Sequence, residues 1–321
     1  MRSIYDATGN RAFPPFPDAE TGMQIHFNVS INGTHPKNEW VDSSSPLNVN
    51  AVLILPSSYA PDGEPTKLIF MHHGQSGTVT DTSWYSNVQN WPAFYGAYLD
   101  AGFAVFDVNG CGPYSAADET YHRDYGCPNG LQAALKAYEY ICQNYNVDRK
   151  LLVHGTSMGG ATAIAFAKAF PSIVEAVGLF APAELRTSAT NNTYKSYIAT
   201  NYGYTDAAAM ASDGYAELIA SALTVEHYNS SGQRQSHDFT YDWKNDSTET
   251  HVARFPVPVK FWHGTSDTTT SPKFSEEAVN AIRRGGGTAY YRPVSGADHG
   301  ISTGSNSTVI NEAVLWFKRF V

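Results

Sequence analysis

The chain has 321 residues, of which 42% are hydrophobic, enough to fill a large core, and 16% are charged, below the share of about a quarter that soluble domains usually carry. The formal net charge is −9, from 21 basic and 30 acidic residues without a basic run, which argues against a nucleic-acid binder. The sequence has no apolar stretch of about 18 residues and so predicts no membrane span, and its scattered Gly and Pro exclude collagen-like and disordered chains.

Short apolar runs alternate with longer segments of helical periodicity along the chain. This alternation predicts an α/β fold, with a mostly parallel, twisted sheet and helices on both of its faces. The first run, at 23–29, belongs to a Pro- and Asn-rich segment, residues 1–45, that we interpret as an N-terminal extension or an edge hairpin. Several of the other predicted strands are apolar at consecutive positions, as expected of strands buried on both faces. They cover 51–55, 67–71, 103–108, 150–154, 176–180, 259–262 and 289–293.

Apolar residues at helical spacing predict helices over 131–145, 158–170 and 309–317, and the glycines at 285–287 end another. Residues 182–254 break the alternation, because they contain helical stretches and a polar part but no convincing buried strand. We interpret them as a lid inserted over the carboxyl edge of the sheet, since long connections in compact domains usually have a function. The predicted catalytic domain then comprises the two flanking segments, residues 46–181 and 255–321.

The motif G-x-S-x-G occupies residues 155–159, directly after a predicted strand and directly before a predicted helix. This strand–turn–helix context is that of a nucleophile elbow, in which a strained turn raises the Ser157 hydroxyl above the sheet. Gly155 and Gly159 are expected where a Cβ atom would clash between the strand and the helix. Ser157 is therefore the predicted nucleophile.

A serine hydroxyl needs a general base, and that base needs an orienting acid. In this architecture the acid and then the histidine follow the serine, each in a loop after a later strand. Asp267 follows the predicted strand 259–262, and His299 follows the strand 289–293. We therefore predict Asp267 as the acid and His299 as the base.

Other candidates for these roles are less well placed. Asp298 adjoins the histidine, His263 comes too early in the chain, and His154 is predicted to lie in the core within the elbow strand. The predicted chemistry needs neither a cofactor nor a metal. The pair His72 and His73 is not interpreted as a metal site, because neighbours on a strand point to opposite faces and no third ligand has a suitable spacing.

Two backbone N–H groups are expected to form an oxyanion hole. One belongs to Met158, the residue after the nucleophile, at a helix start whose dipole favours negative charge. The other comes from the loop after the predicted strand 67–71, which reads His-His-Gly-Gln-Ser-Gly. Gln75 is the predicted donor, and Ser76 is the alternative.

Aromatic residues are frequent in two loops that leave the carboxyl ends of predicted strands. Both loops are expected to edge the active site, where aromatic rings would suit a sugar ring or an aromatic acyl group, and packing within the loops is the alternative. The candidate substrate-binding residues are Trp84, Trp91, Tyr114 and Tyr125.

Three cysteines are too few for a disulfide scaffold or a Cys-rich zinc site. Cys142 falls in a helical pattern and is interpreted as a buried apolar side chain. Cys111 and Cys127 bracket one of the aromatic loops, and a bridge between them is left open. The Ser-, Thr- and Asn-rich, Lys-poor composition favours an extracellular location, although residues 1–10 contain no apolar signal-peptide region.

Four motifs in order resemble those of the α/β-hydrolase superfamily, and the resemblance extends over residues 50–321. They are MHHGQSG at 71–77, LLVHGTSMGG at 151–160, HGTSD at 263–267 and GADHG at 296–300. The resemblance implies the α/β-hydrolase fold. Within the superfamily, the chain resembles the feruloyl-esterase-like and polyhydroxybutyrate-depolymerase-like esterases and the related prolyl-oligopeptidase-type hydrolases. Those esterases often carry Cys or Gly at the position of Gln75.

These observations predict a serine esterase that acts through an acyl-enzyme on a small-molecule or polysaccharide ester. A carbohydrate-linked ester of the acetyl or feruloyl type fits the aromatic loops and the composition best. A prolyl-oligopeptidase-type serine peptidase is one alternative, and a non-catalytic binding module is another. The intact set of Ser157, Asp267 and His299 argues against the binding module. No nucleic-acid partner is expected, and the oligomeric state is left open.

Overall fold

The structure is a computed structural model. It describes residues 23–31, 47–74, 77, 79, 92–109, 126, 128–183, 223–237, 241–301 and 307–321.

Eleven strands form within these residues, and most of them contain the apolar runs of the sequence. In chain order they are Met23–Ile31 (β1), Leu47–Leu55 (β2), Thr66–His72 (β3), Ala104–Val108 (β4), Val147–Thr156 (β5), Val174–Phe180 (β6), Val225–Tyr228 (β7), Arg234–Gln235 (β8), Thr250–Ala253 (β9), Val259–Gly264 (β10) and Ala289–Val294 (β11).

Eight of these strands form one sheet, in the order β1-β2-β4-β3-β5-β6-β10-β11. Six of these strands run parallel to one another, namely β4, β3, β5, β6, β10 and β11. The strand β2 is antiparallel to both of its neighbours, β4 and β1, and β1 forms the edge of the sheet. Because the parallel strands share one direction, the carboxyl ends of β3, β5, β10 and β11 meet along a single rim. The residues that follow these four strands are thereby brought together.

Helices cover both faces of the sheet because successive residues of its buried strands point to opposite sides. The helices are Pro92–Asp100 (α1), Pro128–Asn144 (α2), Met158–Ala169 (α3), Pro272–Arg284 (α4) and Ser307–Phe317 (α5), the last followed by the 3₁₀ turn Lys318–Phe320. Phe70 and Phe106 pack on one side with α2, α3 and α4, and Ile69 and Val105 pack on the other side with α1 and α5. This confirms the predicted α/β-hydrolase fold.

A second, antiparallel sheet has the order β8-β7-β9 and lies within residues 223–253. The prediction of no buried strand in residues 182–254 is therefore wrong. The strands were missed because they are four residues or shorter and because their buried positions include the histidines His227 and His251. The strand β9 packs on α4, and a Cβ atom at Gly285, directly after that helix, would lie 2.1 Å from the Ala253 carbonyl oxygen. Residues 184–222, which the predicted lid also includes, lie outside the described residues.

Among the helices of the described segments, none has both the length and the apolar character needed to cross a lipid bilayer.

His154 lies near the carboxyl end of β5 and is fully buried, as the sequence predicts, with its ring perpendicular to that of Phe180 and the ring centroids 4.7 Å apart. Burial lowers the pKa of His154 to about 3. As the pH falls, a histidine in the unfolded chain takes up a proton near pH 6.5. In the folded protein His154 stays neutral until the pH approaches its lowered pKa. The stability of the protein should therefore fall as the pH falls below about 6.5.

His154→Leu is expected to remove this contribution. Between pH 6 and pH 4, the free energy of unfolding of the variant should depend on pH less steeply than that of the wild type, by about 1.4 kcal/mol per pH unit. Urea denaturation at several pH values measures this slope. Equal slopes for the two proteins would contradict the assignment of a neutral, buried His154.

Candidate active site

Ser157 lies in the turn between β5 and α3 in a conformation that residues other than glycine rarely adopt, with φ 54° and ψ −120°. Backbone hydrogen bonds on both sides hold this turn. The Ser157 N–H donates to the Phe180 carbonyl at 2.9 Å, and the Ser157 carbonyl accepts from the Ala183 N–H at 2.7 Å. The end of β6 thus maintains the strained conformation that lifts the side chain of Ser157 away from the sheet.

Two glycines allow β5, α3 and β3 to approach each other around this turn. A Cβ atom at Gly155 would lie 2.2 Å from the Gly159 carbonyl oxygen, and a Cβ atom at Gly159 would lie 2.3 Å from the His72 carbonyl oxygen. Both atoms are backbone atoms and cannot move aside as a flexible side chain could. The sequence motif therefore has the steric basis that the elbow requires.

Gly155→Ala is expected to destabilise the protein by about 3 kcal/mol or more, because the added methyl group overlaps the backbone of α3. Gly96→Ala is the matched control: a Cβ atom there meets nothing within 4 Å, and alanine favours the helix α1 by up to about 1 kcal/mol. Thermal and urea unfolding of both variants measure the difference. A stable, fully active Gly155→Ala protein would contradict the elbow geometry.

The structure brings Ser157, Asp267 and His299 together from three separate loops, after β5, β10 and β11. His299 Nε2 lies 2.9 Å from Ser157 Oγ, and His299 Nδ1 lies 2.7 Å from Asp267 Oδ2. Both distances are those of hydrogen bonds. A hydroxyl, an imidazole and a carboxylate connected in this order have the arrangement in which a histidine can take the proton from a serine.

The carboxylate of Asp267 is fully buried. Its Oδ1 accepts the backbone N–H groups of Thr269 at 2.8 Å and Thr270 at 3.0 Å, and its Oδ2 accepts the Thr270 hydroxyl at 2.9 Å. Burial alone would raise the pKa of Asp267, but the hydrogen bonds from His263, His299 and Thr270 outweigh it and hold that pKa well below its usual range. Asp267 is therefore ionised and can stabilise positive charge on His299.

His263 also belongs to this site, although it comes too early in the chain for the predicted base. It is a second histidine that contacts the acid, with Nε2 at 3.0 Å from Asp267 Oδ2. Its Nδ1 lies 2.7 Å from the Ser275 hydroxyl on α4, and its side chain is fully buried. The sequence feature that could have indicated this contact is the position of His263 at the end of β10, four residues before Asp267.

The predicted oxyanion hole lies partly within the described residues. Met158 is the first residue of α3, where backbone N–H groups lack partners within the helix. The loop after β3 reaches the nucleophile, because a Cβ atom at Gly74 would lie 3.6 Å from Ser157 Cβ. Gln75 and Ser76, the next two residues, lie outside the described residues.

A buried carboxylate on β4 holds the start of this loop. Asp107 Oδ1 lies 2.9 Å from His72 Nδ1, and Asp107 Oδ2 lies 2.7 Å from His73 Nδ1. The expectation that the two histidines point to opposite faces is wrong, because β3 ends at His72 and the chain turns there. Burial would raise the pKa of Asp107, but the charge and hydrogen bonds of the two histidines lower it. These three side chains are close enough to hold a metal ion, and each imidazole already has the carboxylate as a partner.

Several predicted features lie outside the described residues. They are the candidate substrate-binding residues Trp84, Trp91, Tyr114 and Tyr125 and the candidate bridge between Cys111 and Cys127. Cys142, on α2, is a free thiol that is only half-buried, and burial raises its pKa.

The eight-stranded sheet, with Ser157 in a strained turn after its fifth strand, defines a protein of the α/β-hydrolase class. The chain belongs to the family described as “Putative esterase”, whose model matches residues 44–210, just over half of the 321 residues. A second model, described as the prolyl oligopeptidase family, matches residues 187–320. No curated protein matches the chain.

Solved structures with the same fold include esterases, hydrolases and peptidases. Est1E from Butyrivibrio proteoclasticus is 15% identical with a TM-score of 0.53, and the match covers 91% of this chain and 97% of Est1E. An S-formylglutathione hydrolase from Agrobacterium tumefaciens is 15% identical with a TM-score of 0.56, covering 94% of this chain and 96% of that protein.

The acylaminoacyl peptidase of Pyrococcus horikoshii is 15% identical with a TM-score of 0.60, and the match covers 93% of this chain. The chain spans only 35% to 42% of the length of the peptidases it resembles. At these identities the likeness establishes the fold alone.

Proposed function

We propose that the protein is a serine hydrolase that cleaves carboxylic esters through an acyl-enzyme intermediate. The observation that carries this proposal is the hydrogen-bonded series Ser157–His299–Asp267, with distances of 2.9 Å and 2.7 Å between successive side chains. Membership of the esterase family supports the same activity.

In the proposed reaction, His299 Nε2 takes the proton of Ser157 as the serine oxygen attacks the ester carbonyl. Backbone N–H groups of Met158 and Gln75 stabilise the oxyanion of the tetrahedral intermediate. Asp267 stabilises the imidazolium, which then gives its proton to the departing alcohol and leaves an acyl group on Ser157. A water molecule, deprotonated in turn by His299, releases the acid and restores the serine.

The proposed substrate is an ester linked to a carbohydrate, of the acetyl or feruloyl type. The support for it is the series of aromatic residues in the loops after the strands, together with the resemblance to feruloyl-esterase-like proteins. A panel of acetylated sugars, feruloylated sugars and aliphatic esters of similar size tests this specificity. The expected result is a kcat/KM that is highest for a carbohydrate ester, and a preference for simple aliphatic esters would refute it.

A serine peptidase of the prolyl-oligopeptidase type is the second candidate, because that family model matches the segment containing Asp267 and His299. Both activities use the same three side chains, so only the substrate distinguishes them. Parallel assays with p-nitrophenyl acetate and with peptide p-nitroanilides make the comparison. We expect hydrolysis of the ester and little release from the peptides, and efficient turnover of a peptide anilide would favour the peptidase.

A further inference from the structure

The small antiparallel sheet and the residue before its strand β9 bring together two histidines and a glutamate, which the proposed reaction does not use. His227 on β7 and His251 on β9 are directly paired across the two strands, and both are buried, with 4% and 1% of their surface exposed. Glu249 lies just before β9. Each of the three residues offers one potential ligand atom, and these three atoms lie within 4.8 Å of one another.

The pairing of the two histidines suits coordination of a single ion. Residues directly opposite each other on antiparallel strands have Cβ atoms about 5 Å apart and project to the same face of the sheet. The two imidazole rings have centroids 5.3 Å apart and planes at 73°, so they meet at an angle and are not stacked. His251 Nε2 is buried without a hydrogen-bond partner in the described part of the chain, which is costly for a polar atom. A metal ion would satisfy it.

Neighbouring groups fix the carboxylate and supply negative charge. Glu249 Oε2 lies 2.8 Å from His237 Nε2 and accepts the Tyr241 hydroxyl at 3.1 Å, an arrangement typical of the groups that orient a metal-ligating carboxylate. Glu277 on α4 adds a second carboxylate 3.9 Å from His251 Nδ1. His237 is 21% exposed and gives the site an opening to solvent.

We propose that His227, Glu249 and His251 bind a divalent transition-metal ion of the zinc type. Two imidazoles and one carboxylate are a donor set suited to Zn²⁺. The ion joins β7 to the segment that enters β9, and β9 packs on α4. The ion would therefore stabilise the small sheet, which is separate from the eight-stranded sheet whose strand β5 leads into Ser157.

The test uses the full chain without an affinity tag, stripped with a chelator and dialysed. Titration with ZnCl₂ by calorimetry, with metal content measured by mass spectrometry, should give one bound Zn²⁺ per chain and a higher melting temperature. Co²⁺ should give the visible absorption bands of a nitrogen- and oxygen-ligated tetrahedral ion. Glu249→Gln keeps the size of the side chain and should weaken Zn²⁺ binding at least about 10-fold.

Glu226→Gln is the matched control, because Glu226 precedes His227 on β7 and points to the opposite face of the same sheet. This variant should bind Zn²⁺ as the wild type does. His227→Asn is a second ligand variant, and His251→Asn is avoided because its side chain is the most deeply buried of the three. The proposal is overturned if the wild type shows no saturable Zn²⁺ binding, or if Glu249→Gln and His227→Asn bind the ion as tightly as Glu226→Gln.

Discussion

Ser157→Ala is expected to lower kcat for p-nitrophenyl acetate by about 10⁴- to 10⁶-fold, because it removes the hydroxyl that forms the proposed acyl-enzyme. Ser157 is partly exposed and its hydroxyl hydrogen-bonds to His299, so the loss of this group should leave the fold intact. Initial rates at saturating substrate measure the effect, and thermal unfolding measures the stability.

Ser58→Ala is the control for this substitution, since Ser58 is exposed in the turn after β2. It should retain full activity and the same melting temperature as the wild type. If Ser157→Ala kept activity close to that of the wild type while Ser58→Ala behaved as expected, Ser157 would not be the nucleophile.

Asp267→Asn is expected to lower kcat by about 10⁴-fold, because an amide cannot balance the positive charge on His299 and favours the wrong tautomer of its imidazole. The side chain keeps its size, so Ser157 and His299 remain at hydrogen-bond distance. Asp62→Asn, at an exposed position in the turn before β3, is the matched control and should leave kcat unchanged. A loss of less than about tenfold in Asp267→Asn would show that Asp267 does not act through His299.

The same variant should show how Asp267 contributes to stability. The pKa of Asp267 is lowered in the folded protein, so its stabilising effect is fully present above the unfolded-state pKa near 3.9 and is lost as the pH falls toward the folded-state pKa. We expect Asp267→Asn to be less stable than the wild type at pH 6 and the difference to shrink at pH 3. Urea denaturation at the two pH values measures it, and a difference that grew at low pH would contradict the ionised state of Asp267.

Local sequence was enough to predict the sheet and the positions of Ser157, Asp267 and His299. Parallel strands buried on both faces leave continuous apolar runs, and the order of the strands fixes where their loops meet. The elbow needs glycines at 155 and 159 for steric reasons, so its motif is visible in the chain. The side chains at the ends of β5, β10 and β11 could therefore be placed together without knowing that β4 lies between β2 and β3 in the sheet.

The features that were missed depend on contacts between residues far apart in the chain. His73 turns toward Asp107 because β3 ends one residue earlier, at His72. An apolar run in the sequence does not show to within one residue where a strand ends. The role of His263 depends on the approach of Ser275 from α4. The strands β7 and β9 are short and place histidines at buried positions, so they lack the apolar alternation from which strands are predicted.

Labelling with a fluorophosphonate probe, followed by mass spectrometry of the digested protein, tests most directly whether His299 and Asp267 activate Ser157. We expect a single adduct, on the peptide that contains Ser157, which forms with the wild type and the Ser58→Ala control and is absent from Ser157→Ala. A wild-type protein that acquires no adduct, or one whose adduct lies on another residue and persists in Ser157→Ala, would contradict it.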